Sequence, residues 1–279
     1  MLKPIVAFSF FLITYHLQAQ DDLPSSVWMS NHVKIDGNPA EWHKPLHFYD
    51  DNTKLFYAFA NDDSNLYLCF QTSDEINQQK IMRAGMEVSL TSKAGDKHKI
   101  MISFPLAQQY TPINQGEAQD SIEKKSQKKN MKNNFLAQNT MMEVKGFTTR
   151  NGIIAINDSS GINTAINWDD KNQLTYEAAI PLKEFLGADF TVTNLSNSIT
   201  MEVTINAVKK QHSGEHGGGG NSFGGHSRGG GMGGGHGHHH DGDTQGEPTA
   251  SSSSFNEREA LFQKTELKQK FILGEAVKN

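Results

Sequence analysis

The sequence predicts an all-β chain folded as a two-sheet antiparallel β-sandwich, jelly-roll-like in outline. Three observations carry that expectation. Short segments with an apolar residue at every second position recur along the chain, and clusters of Asn, Asp, Gly and Ser separate them. Two further segments about 140 residues apart, IDGNPAEW (Ile35 to Trp42) and TYEAAIPL (Thr175 to Leu182), read as a strand ending in a tight turn and a strand stopped by Pro181.

The chain has 279 residues, enough for one large β domain. Lys3 gives a short basic start, Ile5 to Leu17 an apolar stretch, and Leu17-Gln18-Ala19 a small-residue cleavage site. This is the pattern of an export signal over 1–19, and the apolar run is shorter than the roughly 20 residues a spanning helix needs. The reading is therefore an exported module over 20–279, periplasmic or extracellular, with no transmembrane anchor in the mature chain. A formal net charge of −5 offers no field to attract nucleic acid. The single cysteine, Cys69, lies in the apolar run LYLCF. It has no partner for an internal disulfide, so the fold must rest on its core.

Lys54 to Ala60 and Leu66 to Phe70 are apolar at nearly every position, as central strands covered on both faces are. Asn61-Asp62-Asp63-Ser64-Asn65 between them supplies the turn of a hairpin. Met86, Val88 and Leu90 then alternate with Glu87 and Ser89, and Ile100, Ile102 and Phe104 repeat the pattern beyond a turn at Ala94-Gly95-Asp96. Strand signals thus fill the stretch from Trp28 to Phe104, with Trp28 expected in the core. A polar insertion over 113–137, rich in Lys, Gln, Asn and Glu, suits a solvated helix or a mobile segment and is not expected to build core. Strands resume at Met141 to Phe147 and Gly152 to Ile156. In the next strand Leu174, Tyr176, Ala178 and Ile180 share a face, and Ile199 to Ala207 alternates without a break.

Residues 212–243 are different: 15 of these 32 are Gly and 7 are His. Nothing there offsets the entropy of ordering so much glycine, so 212–254 is expected to be a disordered insertion. Leu267 to Leu273 returns as a last strand.

In their order, IDGNPAEW, the Asn61-Asp62 hairpin, LYLCF and YEAAIPL resemble the family 9 carbohydrate-binding modules and the wider DOMON-like sandwiches. The resemblance covers most of 27–104 and 173–186. It implies a two-sheet sandwich that binds a glycan or, in some DOMON branches, haem, with aromatic side chains facing the sugar ring and polar groups behind them.

Trp168 beside Asn167, Asp169 and Asp170 fits that chemistry, because an indole stacks on the apolar face of a sugar while amides and carboxylates take its hydroxyls. Tyr49 next to Asp50 and Asp51 is a second candidate. Trp42 either touches ligand or plugs the end of the sandwich. A divalent transition metal has candidate ligands in His236, His238, His239, His240 and Asp241, since neutral imidazoles suit zinc, nickel and copper. No catalytic motif is present: HExxH, GxSxG, CxxC and a phosphate-binding glycine loop are all missing from the sequence. Glu143, Glu177 and Glu202 are expected to face solvent on strands. They could imitate a glycosidase acid pair only formally. Met101 and Met142 are the candidates for a haem axial ligand, with surface methionine the plainer reading.

Overall fold

The computed structural model describes residues 23–92, 98–107, 121–188, 197–210 and 258–276, without the side chains of 121–124. In chain order its strands are β1 (Val27–Trp28), β2 (Phe48–Asp50), β3 (Leu55–Asn61), β4 (Asn65–Thr72), β5 (Met86–Ser92) and β6 (His98–Ser103), then β7 (Met141–Lys145), β8 (Gly152–Ala155), β9 (Asn163–Trp168), β10 (Leu174–Pro181), β11 (Ile199–Ile205) and β12 (Thr265–Phe271). One sheet runs β1-β3-β4-β10-β9, with β2 also paired to β3; the other runs β12-β11-β5-β6-β7-β8. The two-residue β1 pairs in parallel with β3, and the other strand pairs are antiparallel. The expected β-sandwich is what forms.

The inward faces are those the alternation marks. Leu55, Tyr57 and Phe59, Leu66, Leu68 and Phe70, and Leu174, Tyr176, Ala178 and Ile180 meet Met86, Val88, Leu90, Ile100, Ile102, Met201, Val203 and Phe271 in one core. Phe48, Tyr57, Phe59 and Phe271 stack in a column, with ring centroids 4.2–5.2 Å apart from one pair to the next. Such aromatic pairs add about 0.5–1.5 kcal/mol beyond their buried area. Cys69 is fully buried, and burial pushes its thiol well up, as an inert structural cysteine requires.

Four expectations need correction. Helix α1 (Glu75–Ala84) interrupts the stretch read as strands; Asp74 caps it by accepting from the Asn77 N–H, and Gly85 ends it at φ +81°. The polar insertion contains α2 (Ser121–Gln138), and that helix does contribute to the core through Phe135, 6% exposed, with Leu136 packed beside it. Trp28, on the short edge strand, is only half-buried. Met142 is no surface methionine: it is fully buried, and its sulfur accepts from the Thr164 hydroxyl. A short helix α3 (Leu182–Leu186) follows Pro181 and buries Leu182 and Phe185. The turn expected at Ala94-Gly95-Asp96 lies outside the described residues, as do the export signal expected over 1–19 and the disordered insertion expected over 212–254.

The strap over 29–46 lies on the outer face of the first sheet and forms a third layer. Val33, Trp42 and Leu46 pack there on Ala60, Tyr67, Cys69 and Ala179. This layer is why LYLCF is apolar on both faces.

Candidate functional site

A single carboxylate fastens the strap. Glu177 projects from the outer face of β10 and is 0% exposed, not solvated as the alternation suggested. Its Oε2 accepts from the Gly37 N–H at 2.8 Å and the Asp36 N–H at 3.2 Å, and its Oε1 from the Trp42 indole at 2.8 Å. Burial pushes its carboxyl up to about 6, although these three donors work in the opposite direction. Gly37 has φ +75°, and a Cβ there would lie 2.6 Å from the Asn167 Cβ, so the turn needs glycine twice over. Trp42 is 5% exposed with its N–H committed to Glu177. It is buried, but not as a plug at the end of the sandwich: it packs under the strap on the outer face of the first sheet.

Of the other sugar-site candidates, Trp168 and Asn167 cannot serve one site together. Adjacent strand residues point to opposite faces, so Asn167 lies outward beneath Gly37 while Trp168 turns toward the core. There the indole N–H donates to Gln78 Oε1 at 2.9 Å. Lys132 sits 4.9 Å from the ring centroid, and Phe135 meets the indole edge-on at 5.7 Å. Trp168 is thus a docking surface for α2 and not an open platform. Asp169 accepts from the Lys171 and Gln173 N–H groups and shapes the β9–β10 turn, while Asp170 is exposed.

Tyr49 is 46% exposed against Phe56, ring centroids 4.6 Å apart. Cross-strand register sets Tyr49, Phe56, Gln71, Thr175 and Asn167 in one transverse row. Four strand spacings, about 19 Å, therefore separate Tyr49 from Asn167. Among the remaining acids, Glu143 pairs with Lys145, and Glu202 with Lys99 and Lys268, on the outer face of the second sheet. His236, His238, His239, His240 and Asp241 lie outside the described residues. Among the described residues no three His, Cys, Asp or Glu side chains are grouped to hold a metal ion.

What converges instead is a cleft of about 420 Å³ where the strap meets the β9 edge. His32, Lys34 and Ile35 form one wall; Ile156, Asn157, Asn163 and Ala165 form the other. Asn157 and Asn163 are held opposite each other by a bridge of backbone hydrogen bonds. The intervening turn is braced by Asp158, which accepts from Ser160 and pairs with Arg150 at 3.0 Å. Those contacts, led by the Ser160 hydroxyl, hold the Asp158 carboxyl down at about 2. Neither the Asn157 nor the Asn163 carboxamide has a protein partner among the described residues.

His32 is anchored from behind. Its Nδ1 lies 2.9 Å from the hydroxyl of Tyr67, which donates to Asp62 Oδ2 at 2.6 Å. Lys34 pairs with Asp36 Oδ2 at 2.7 Å.

Sequence reading missed His32, Tyr67, Asn157 and Asn163 because they come from three separate segments of the chain. The one available signal was Tyr67 two residues beyond the Asp62 turn's end at Asn65, where LYLCF otherwise holds only apolar residues. Compared with known proteins, the chain matches no family model, no curated protein and no solved structure.

Proposed function

We propose that the protein is an exported, non-catalytic binding module of the family 9 or DOMON-like kind, and that it takes a saccharide in the cleft between the strap and the β9 edge. One observation carries this reading. Two unpartnered carboxamides, Asn157 and Asn163, line the cleft together with the His32 imidazole and the aliphatic side chains of Ile35, Ile156 and Ala165. A sugar ring presents that same combination, hydroxyls around an apolar C–H face, and the volume lies in the range of small-ligand sites. The lining residues include no carboxylate, so the acid pair of glycoside hydrolysis has no members in this cleft.

Calorimetric titration with a panel of soluble oligosaccharides tests the reading. Asn157→Ala and Asn163→Ala should each weaken binding about tenfold, the loss of one or two hydrogen bonds. Heats absent across the panel, or unchanged by both substitutions, would refute it.

A second reading rests on the sequence of the long β11–β12 connection. His236, His238, His239, His240 and Asp241 fall within six residues and supply the imidazoles that bind zinc, nickel or copper. The protein would then sequester metal in the cell envelope. Zinc and copper titrations of the full chain and of a chain lacking 212–243 decide it: equal heats remove the tract as a site.

A further inference from the structure

The hydrogen bonds behind the cleft determine where the proton on His32 resides. A tyrosine hydroxyl has one proton to give and two lone pairs to accept with. Burial, and then the bond to Asp62, push the Tyr67 hydroxyl's pKa up. Burial also works to raise the Asp62 carboxyl, but the Tyr67 hydroxyl and the Ser64 and Asn65 N–H groups hold it below the usual carboxylate range. Tyr67 therefore keeps its proton and spends it on the ionised Asp62, 2.6 Å away. Its oxygen is left to accept, with Asn65 Nδ2 at 3.3 Å, the Val33 backbone N–H and His32 Nδ1 at 2.9 Å gathered around it. For the His32 contact to be a hydrogen bond, Nδ1 must carry the hydrogen.

The neutral ring is thereby fixed with Nε2 bare, and Nε2 has no protein partner among the described residues. A bare ring nitrogen accepts a hydroxyl proton and repels a carboxylate. The nearby cation, Lys34, comes paired with a carboxylate of the protein's own, Asp36 Oδ2 at 2.7 Å.

We infer that His32, held in one tautomer by Tyr67 and Asp62, is the hydrogen-bond acceptor through which the cleft selects neutral, hydroxyl-bearing saccharides over carboxylated ones. This rests on the saccharide reading of the cleft and deepens it. His32 contacts the ligand; Tyr67 is a positioning residue acting through His32.

The test is two-bond proton–nitrogen NMR on the full chain with ¹⁵N-labelled histidine, together with paired titrations of a neutral oligosaccharide and its uronate counterpart. The neutral His32 ring should show a protonated Nδ1 and a bare Nε2, and Nε2 should shift when neutral ligand saturates the cleft. The uronate should bind about tenfold more weakly. Tyr67→Phe should mix the tautomers and narrow that preference, and His32→Ala, which removes the acceptor, should weaken neutral binding about tenfold. A bare Nδ1 in the parent protein, or equal affinity for both ligands, overturns the inference and leaves the saccharide reading standing. Absence of binding by both ligands and the wider panel overturns that reading and this inference with it.

Discussion

Trp42 donates its indole N–H to Glu177 Oε1 at 2.8 Å, across 135 residues of chain. With the Gly37 and Asp36 N–H groups on Oε2, this bond joins the IDGNPAEW and TYEAAIPL motifs into one unit. The acid in the second motif is the fastening point of the first. The strap it holds forms one wall of the cleft, so the stability of the fastening and the shape of the cleft are coupled.

The fastening should make stability depend on pH. Glu177 titrates at about 6 when folded, against an ordinary value of 4.5. A raised value means the fold favours the protonated form. The stabilisation is therefore complete below about 4.5 and is lost as pH rises through 6. That difference corresponds to about 2 kcal/mol. Urea unfolding of the parent and of Glu177→Gln, followed from pH 4.5 to 7.5, should show their stability gap changing by that amount. A gap independent of pH would contradict the assignment.

Gly37→Ala should destabilise the protein by about 2 kcal/mol or more, combining left-handed backbone strain with a clash against Asn167. Trp42 fluorescence should report a loosened strap before global unfolding. A change below about 0.5 kcal/mol, the size of an ordinary surface substitution, would show that the turn has room to relax.

Trp168→Ala should cost about 2–3 kcal/mol, somewhat less than the loss of a fully buried tryptophan. Amide exchange should quicken around Phe135 in α2, which packs on the indole. Saccharide affinity should stay within twofold of the parent, the margin separating a docking role from a ligand contact.

Removing residues 212–256 should leave the fold intact. β11 and β12 pair along their full lengths, and Val208 N–H donates to the Leu261 carbonyl at 2.9 Å just beyond them. The deletion therefore shortens a connection between adjacent strands, and a shorter connection costs no more to close. Thermal unfolding should occur at or slightly above the parent temperature; a lower one would mean the segment packs on the sandwich.

Much of the architecture was readable because it is local. Period-two alternation in Ile199–Ile205 and Met86–Ser92 fixes which face turns inward, and Asn61 to Asn65 names its own turn. Helix α1 is hard to read although Asp74 and Gly85 mark both its ends, since the stripe it buries includes Asn77, Gln78 and Lys80, which are polar. Phe135 was discounted because the residues before it are polar.

The sequence by itself determined that strands form, which of their faces are apolar, and that Asp36-Gly37 makes a turn. Each follows from residue type and spacing within one segment. Only the tertiary structure decided that Glu177 is buried, that Trp168 and Asn167 part company, and that His32, Asn157 and Asn163 share a cleft. Whether an outward side chain meets water, helix or strap depends on chain brought from far away, and no local pattern encodes it.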